Sequence, residues 1–173
     1  MNVTGPIRYT LTCTPNSYEA RCPQGTSKFS GIATNDKPKL YIASYENIPL
    51  YVGITKQTMS TRLRMGFNAK GESGYHGYRW RHTHTKVDFD IWCQLDATEK
   101  PKKPLEYELE TVEAEVVFLI RRDLDQWPLS QTEIHFHESN ETHRRIAAEI
   151  WKTFKARGPV LISPPRLATG HKT

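Results

Sequence analysis

Two tyrosines, an arginine and a glutamate stand in this chain at spacings that put them on separate elements of one small domain. Tyr41 and Tyr51 each sit inside a short run of β-branched and aromatic residues, 40–44 and 49–55, and Arg62 follows Tyr51 by eleven residues. Glu113 lies in the longest apolar-periodic segment. A phenol with its ordinary pKa of about 10 is a poor base at neutral pH. Beside cationic groups its phenolate becomes accessible. A guanidinium keeps its charge and presents a planar fork of donors that matches phosphate oxygens. A lone carboxylate that leaves room for water ligands suits Mg²⁺ or Mn²⁺ better than a closed zinc cage. Phosphodiester hydrolysis needs such a set: an activated water, charge stabilisation on the phosphoryl oxygens, and relief of the leaving oxygen. Taken singly, each residue has an ordinary reading as well. Hairpin tyrosines are commonly half-buried strand residues. Arg62 on a helix is by default a solvated charge, and Glu113 is one acid among Glu106, Glu108, Glu110 and Glu115.

A second group of residues suits a polyanion. Residues 78–86 interleave Arg79, Arg81, His82 and Lys86 with Tyr78 and Trp80. The cations would meet phosphates and the rings would stack on sugars or bases. The competing reading is a short helix with an aromatic inner face and a basic outer one. Lys56, Arg64 and Lys70 extend the basic rim. Over the whole chain 24 Lys and Arg against 19 Asp and Glu leave +5, and the pI is about 9.1. That excess favours DNA as partner without proving it. His135 and His137 alternate, and with Cys13 and Cys22 they would offer four zinc-type ligands. Their spacing matches no standard finger. His135 and Asn140 are assigned instead to the rim of the active cleft.

The elements that must position these residues follow from periodicity. Residues 40–44 and 49–55 read as a hairpin with the turn at residues 45–47. Thr58 or Ser60 caps a helix carrying Leu63 and Phe67. Residues 75–85 read as a short basic helix weakened by Gly77. Val87, Phe89, Ile91 and Cys93 alternate as one side of a half-buried strand. Leu105, Leu109, Val112, Val116, Leu119 and Ile120 form a helical stripe. Residues 132–137 alternate like a strand, and Asn140 caps a last helix with Ile146, Ile150, Trp151 and Phe154 inward. The expected fold is a small α/β (α+β) domain: a central antiparallel three-stranded sheet flanked by helices. Residues 1–38 read as an irregular N-terminal extension with a short strand at Ile7, Tyr9 and Leu11. The nuclease-like domain then spans 39–157, and 158–173 form a loose tail.

On these residues the chain resembles the GIY-YIG nuclease superfamily. Leu40-Tyr41-Ile42 occupies the first motif and Tyr51-Val52-Gly53 the second, with Arg62 on the following helix. Lys39 and Leu40 replace the Gly and Ile of the first motif. Family members place a glutamate on a later amphipathic helix, which fits Glu113, with Glu115 as the alternative register. Some carry a histidine after the arginine, matched by His76, and an asparagine near the end of the core, matched by Asn140. The resemblance covers residues 39–140. It implies a metal-dependent DNA endonuclease in which Tyr41 takes a proton from water. Tyr51 orients that water or bonds a phosphate oxygen, Arg62 holds the phosphate, and Glu113 binds Mg²⁺ or Mn²⁺. Two rivals stay open: a structure-specific repair or recombination nuclease, and a non-catalytic nucleic-acid-binding module on the same scaffold. A homodimer would let a chain of this size cut both strands.

The sequence contains no run of about 18 apolar residues, so no membrane span is expected. The first residues lack a basic segment followed by an apolar one, so no signal peptide is expected. With three cysteines, Cys13, Cys22 and Cys93, the reading is a cytoplasmic protein with reduced thiols.

Overall fold

The computed structural model describes residues 1–70, 77–96 and 108–158. Five strands are present among them: β1 (Val3–Thr14), β2 (Ser17–Arg21), β3 (Lys39–Tyr45), β4 (Ile48–Thr55) and β5 (Lys86–Gln94). They form one antiparallel sheet in the order β2-β1-β5-β3-β4. With helices α1 (Met59–Asn68), α2 (Glu108–Leu124) and α3 (Glu141–Lys155), the fold is α+β.

The sheet therefore has five strands, not the expected three, and the difference lies in residues 3–21. Their Pro and Gly content suggested irregular chain. Ile7, Tyr9, Leu11 and Cys13 nevertheless alternate strictly, and β1 pairs along β5 from Val3 to Thr12. Pro6 falls in the register irregularity between Thr4 and Ile7, outside the span paired with β2, so its missing N–H breaks no ladder bond. β5 is thereby a central strand, buried on both sides rather than half-buried.

Two apolar layers follow from the period of two along the strands. Tyr9, Leu11, Tyr41, Ala43, Phe89 and Ile91 face a layer completed by Leu63 and Phe67 of α1 and by Tyr78 and Trp80. Leu40, Ile42, Val52 and Trp92 face the opposite layer, built by Leu109, Val112, Val116 and Ile120 of α2 and Ile146, Ile150, Trp151 and Phe154 of α3. The stripes expected on both helices are thus the ones that pack. Leu105 lies outside the described residues, as do residues 159–173, where the loose tail was expected.

α1 begins at Thr58, whose hydroxyl accepts the Thr61 amide at 3.3 Å. α3 begins at Asn140, whose side chain accepts the His143 amide at 3.0 Å while the His143 ring accepts the Asn140 amide. Both caps satisfy amides that the first helical turn leaves open. The far end of α3 is pinned through Arg157. Its guanidinium, almost wholly buried, donates to the fully buried Asp90 of β5 and, at 3.3 Å, to the Ser44 hydroxyl of β3. Arg8 of β1 bonds the other Asp90 oxygen at 2.9 Å. Burial raises the Asp90 carboxyl and the two guanidinium groups oppose the rise.

β4 is an edge strand, and its open side is covered. The Leu129 and Ser130 amides donate to the Pro49 and Leu50 carbonyls at 3.1 and 2.7 Å. The Gln131 side chain then accepts the Val52 amide at 2.9 Å and donates to the Val52 carbonyl at 3.2 Å, imitating a paired strand residue. Residues 131–140, where a strand was expected, have no regular structure. Ile134 packs inward, but Phe136, which the alternation would also bury, is 65% exposed. His135 and His137 are drawn to Glu110 of α2 instead.

Candidate active site

Tyr41 lies at the middle of β3 and is fully buried. Its ring stacks on Phe89 of β5 at 5.4 Å and lies 6.1 Å from the Tyr51 ring of β4. Opposite Tyr41 in the ladder stands Gly53. A Cβ at Gly53 would come within 2.6 Å of the Tyr41 hydroxyl and 2.5 Å of the Tyr51 ring. The absence of a side chain there is what lets the Tyr41 ring cross β4 toward the sheet edge. A register shift between Ala43 and Ser44 leaves Leu50 as an extra residue in β4, directly before Tyr51. Both Leu50 and Tyr51 consequently join the Tyr41 layer. Bulges commonly re-aim side chains in this way.

Arg62 comes to the same place from α1. Its Nε donates to the Tyr41 hydroxyl at 3.4 Å, and its guanidinium lies 5.9 Å from the centre of the Tyr78 ring. Glu113 comes from α2. Burial pushes its carboxyl up to about 8, the Glu110 charge adds to the rise, and Arg62 and His135 oppose it. Tyr41 is raised by burial, lowered by Arg62 and by the Tyr78 hydrogen bond, and raised again by Glu113. Tyr41, Arg62 and Glu113, from β3, α1 and α2, are therefore linked electrostatically, and the Tyr51 ring of β4 lies beside Tyr41. Glu115 lies two residues on, about 200° around the helix. Glu110, Arg62 and His135 act electrostatically on Glu113.

His135 lies close enough to act on Glu113. Its Nδ1 lies 2.8 Å from Glu110 and its Nε2 2.9 Å from Glu133, and the two carboxylates hold its pKa up. His137 reaches the other Glu110 oxygen at 3.2 Å. Cys13 and Cys22 lie in the Tyr41 layer, on the side of the sheet away from α2, whose Glu110 holds both histidines, so the structure does not gather the four zinc-type ligands. Asn140 acts as the α3 cap, with its side-chain oxygen bound to the His143 amide. His76 lies outside the described residues.

The basic segment is divided by the fold. Arg79, His82 and Lys86 are exposed, as are Lys56, Arg64 and Lys70. Arg81 is not a surface cation. It is buried and donates to the Gly66, Phe67 and Ala69 carbonyls at the end of α1. Tyr78 and Trp80 are buried too, so neither can stack on a base; they form the aromatic inner face of a 3₁₀ turn at Arg79–His82. Carbonyls at a helix end lack intrahelical donors, and a buried guanidinium fills that need.

Two participants were missed in the sequence. Tyr78, read as a base-stacking residue, has its hydroxyl 3.1 Å from that of Tyr41. Lys39, read as a departure from the first motif, is fully buried, and its ammonium donates to the Asn35, Lys37 and Gln57 carbonyls. It ties the loops at the two ends of the β3-β4 hairpin, and burial lowers its pKa. The Gly77-Tyr78 pair, with a glycine just before the ring, was the local signal for the first. A lysine opening an otherwise apolar strand was the signal for the second.

Comparison with known proteins finds no matching family model, no matching curated protein and no matching solved structure. No described helix is long and apolar enough to cross a membrane.

Proposed function

We propose that this protein is a metal-dependent DNA endonuclease of GIY-YIG type. The observation that carries the reading is the convergence of Tyr41, Tyr51, Arg62 and Glu113. They stand on β3, β4, α1 and α2, across 72 residues of chain; Arg62 lowers the pKa of both Tyr41 and Glu113, and Glu113 raises that of Tyr41. Bridging these elements at the edge of a sheet is costly unless the cluster serves a purpose. Exposed Lys56, Arg64, Arg79 and Lys86 supply cations for a phosphate backbone.

Glu113 fits a divalent cation. It is a carboxylate taken largely out of water beside a second carboxylate, so Arg62 and His135 compensate its ionised form only in part. Among the described residues no three His, Cys, Asp or Glu side chains gather into a cage. One carboxylate with water completing the shell is the donor set Mg²⁺ or Mn²⁺ accepts. A cation held there would offset the Glu113 charge and stabilise charge on the phosphoryl and leaving oxygens.

The chain's own residues do the rest. Arg62 holds a phosphoryl oxygen and, through its Nε, favours the anionic form of Tyr41. Tyr41 is a neutral phenol at rest, its pKa raised by burial; once it has released its proton to solvent, its phenolate takes a proton from the attacking water as the new P–O bond forms. The leaving oxygen departs and is protonated from solvent, and Tyr41 later returns its proton to solvent. Tyr51, whose ring lies beside Tyr41 over Gly53, orients the water. Proton transfer by a positioned side chain contributes about 10²–10⁴-fold.

The test is cleavage of supercoiled plasmid with Mg²⁺ or Mn²⁺, with Tyr41→Phe, Arg62→Ala and Glu113→Ala in parallel. Each variant is expected to lose at least about a hundredfold in rate. Absence of metal-dependent cutting by the wild type on duplex, branched and single-stranded DNA would end this reading. Retained DNA binding in that case would leave a non-catalytic nucleic-acid module.

A further inference from the structure

We propose that Tyr78 is a positioning residue for Tyr41, holding the Tyr41 hydroxyl beside Arg62 and donating to its oxygen when that oxygen becomes the proton acceptor. This rests on the nuclease reading of Tyr41. The hydroxyls lie 3.1 Å apart, and both rings are at most 3% exposed. In the resting pair either oxygen can donate. Once Tyr41 has lost its proton, its side-chain hydrogen-bond donors among the described residues are Tyr78 and Arg62, and Arg62 stands farther off at 3.4 Å.

The fold is built around this contact. Gly66 of α1 lies under the Tyr78 ring, where a Cβ would approach within 2.2 Å of it. Gly77 has a φ of +69°, which glycine adopts without strain, and a Cβ there would lie 2.0 Å from the Gly66 carbonyl oxygen. Two glycines on separate segments thus clear the space in which the Tyr78 ring reaches Tyr41. Trp80 stacks on the outer side at 4.9 Å, and the Tyr51 ring meets the edge at 6.0 Å. A ring gripped on these sides has little freedom, so its hydroxyl is fixed before substrate arrives.

The experiment uses the full chain with tyrosine ¹³C-labelled at Cζ, the Tyr41 resonance being identified by its loss in Tyr41→Phe. Tyr78→Phe keeps the ring and removes the hydroxyl. Gly66→Ala keeps the hydroxyl and displaces the ring. Both are expected to move the Tyr41 resonance and shift its titration to higher pH by about one unit, the size of one lost hydrogen bond to an anion. In plasmid cleavage Tyr78→Phe is expected to lower kcat about tenfold with KM unchanged, and raising the pH is expected to recover the loss. A purely structural role would lower stability without a pH-dependent recovery. A Tyr41 resonance indifferent to both substitutions overturns the proposal whether or not the protein cuts DNA. A resonance that moves while the wild type cuts nothing supports the hydroxyl coupling and removes only the nuclease reading.

Discussion

Replacing Glu113 by glutamine is expected to make the metal-free protein more stable at pH 8, although it removes a proposed metal ligand. The folded carboxyl titrates at about 8, against an ordinary 4.5 for an unfolded chain. Between those values the folded protein still holds a proton that the unfolded chain has released. Wild-type stability therefore falls as pH rises from 4.5 to 8. At about 1.36 kcal/mol per pH unit the full gap corresponds to about 5 kcal/mol. Partial solvent access screens the group, so about 1–3 kcal/mol is the expected size. Glutamine has no proton to lose and is free of that decline. Urea unfolding of both proteins, with a chelator present, should give matching stabilities near pH 4.5 and a growing advantage for the variant up to pH 8. In thermal unfolding the gain should reach a few degrees to about 10 °C. Adding Mg²⁺ at pH 8 should then stabilise the wild type and leave the variant unchanged. A variant less stable than wild type at pH 8 without metal would refute the reasoning, because Glu113 would then be a satisfied partner of Arg62. The same pH signature on Glu115→Gln would show the helix register to be misjudged.

Gly53→Ala should abolish cleavage by displacing the Tyr41 and Tyr51 rings, whose atoms lie within 2.7 Å of the added carbon. The check is kcat together with near-ultraviolet circular dichroism from the tyrosines. Arg81→Ala should cost about 2 kcal/mol of stability by stranding the carbonyls at the end of α1, with little effect on DNA affinity. Arg79→Ala should do the reverse, weakening DNA binding and its salt dependence at unchanged stability. Asp90→Ala should cost about 3–5 kcal/mol, since it leaves Arg157 buried without its main anion. Urea unfolding measures this directly.

Much of the site was readable because its parts are local. Tyr41 and Tyr51 lie on runs whose composition forces a hairpin, and Arg62 lies on a helix announced by Thr58. Glu113 belongs to a 3.6-residue stripe whose apolar members do pack on the sheet. A stripe shows which side of a helix is buried and not which neighbours wait there, so it does not choose between Glu113 and Glu115. Residues 132–137 misled because alternation alone does not specify a partner strand. The β4 edge they would have joined is already satisfied by Leu129, Ser130 and the Gln131 amide.

What the sequence by itself determined is the set of elements and the chemistry of their side chains, since periodicity, caps and motif spacing act over a few residues. Tertiary structure decided where the charges ended. Arg79 and Arg81 are two residues apart and chemically alike, yet one faces solvent and the other closes a helix. Tyr78, readable either as a base-stacking ring or as part of an aromatic inner face, is buried and meets Tyr41 across 37 residues of chain. Lys39 looked like a flaw in a motif and became a buried knot between loops. These outcomes depend on which carbonyls and hydroxyls distant segments leave unpaired in the core, where an unmet donor or acceptor costs about 1–3 kcal/mol. No local pattern carries that information.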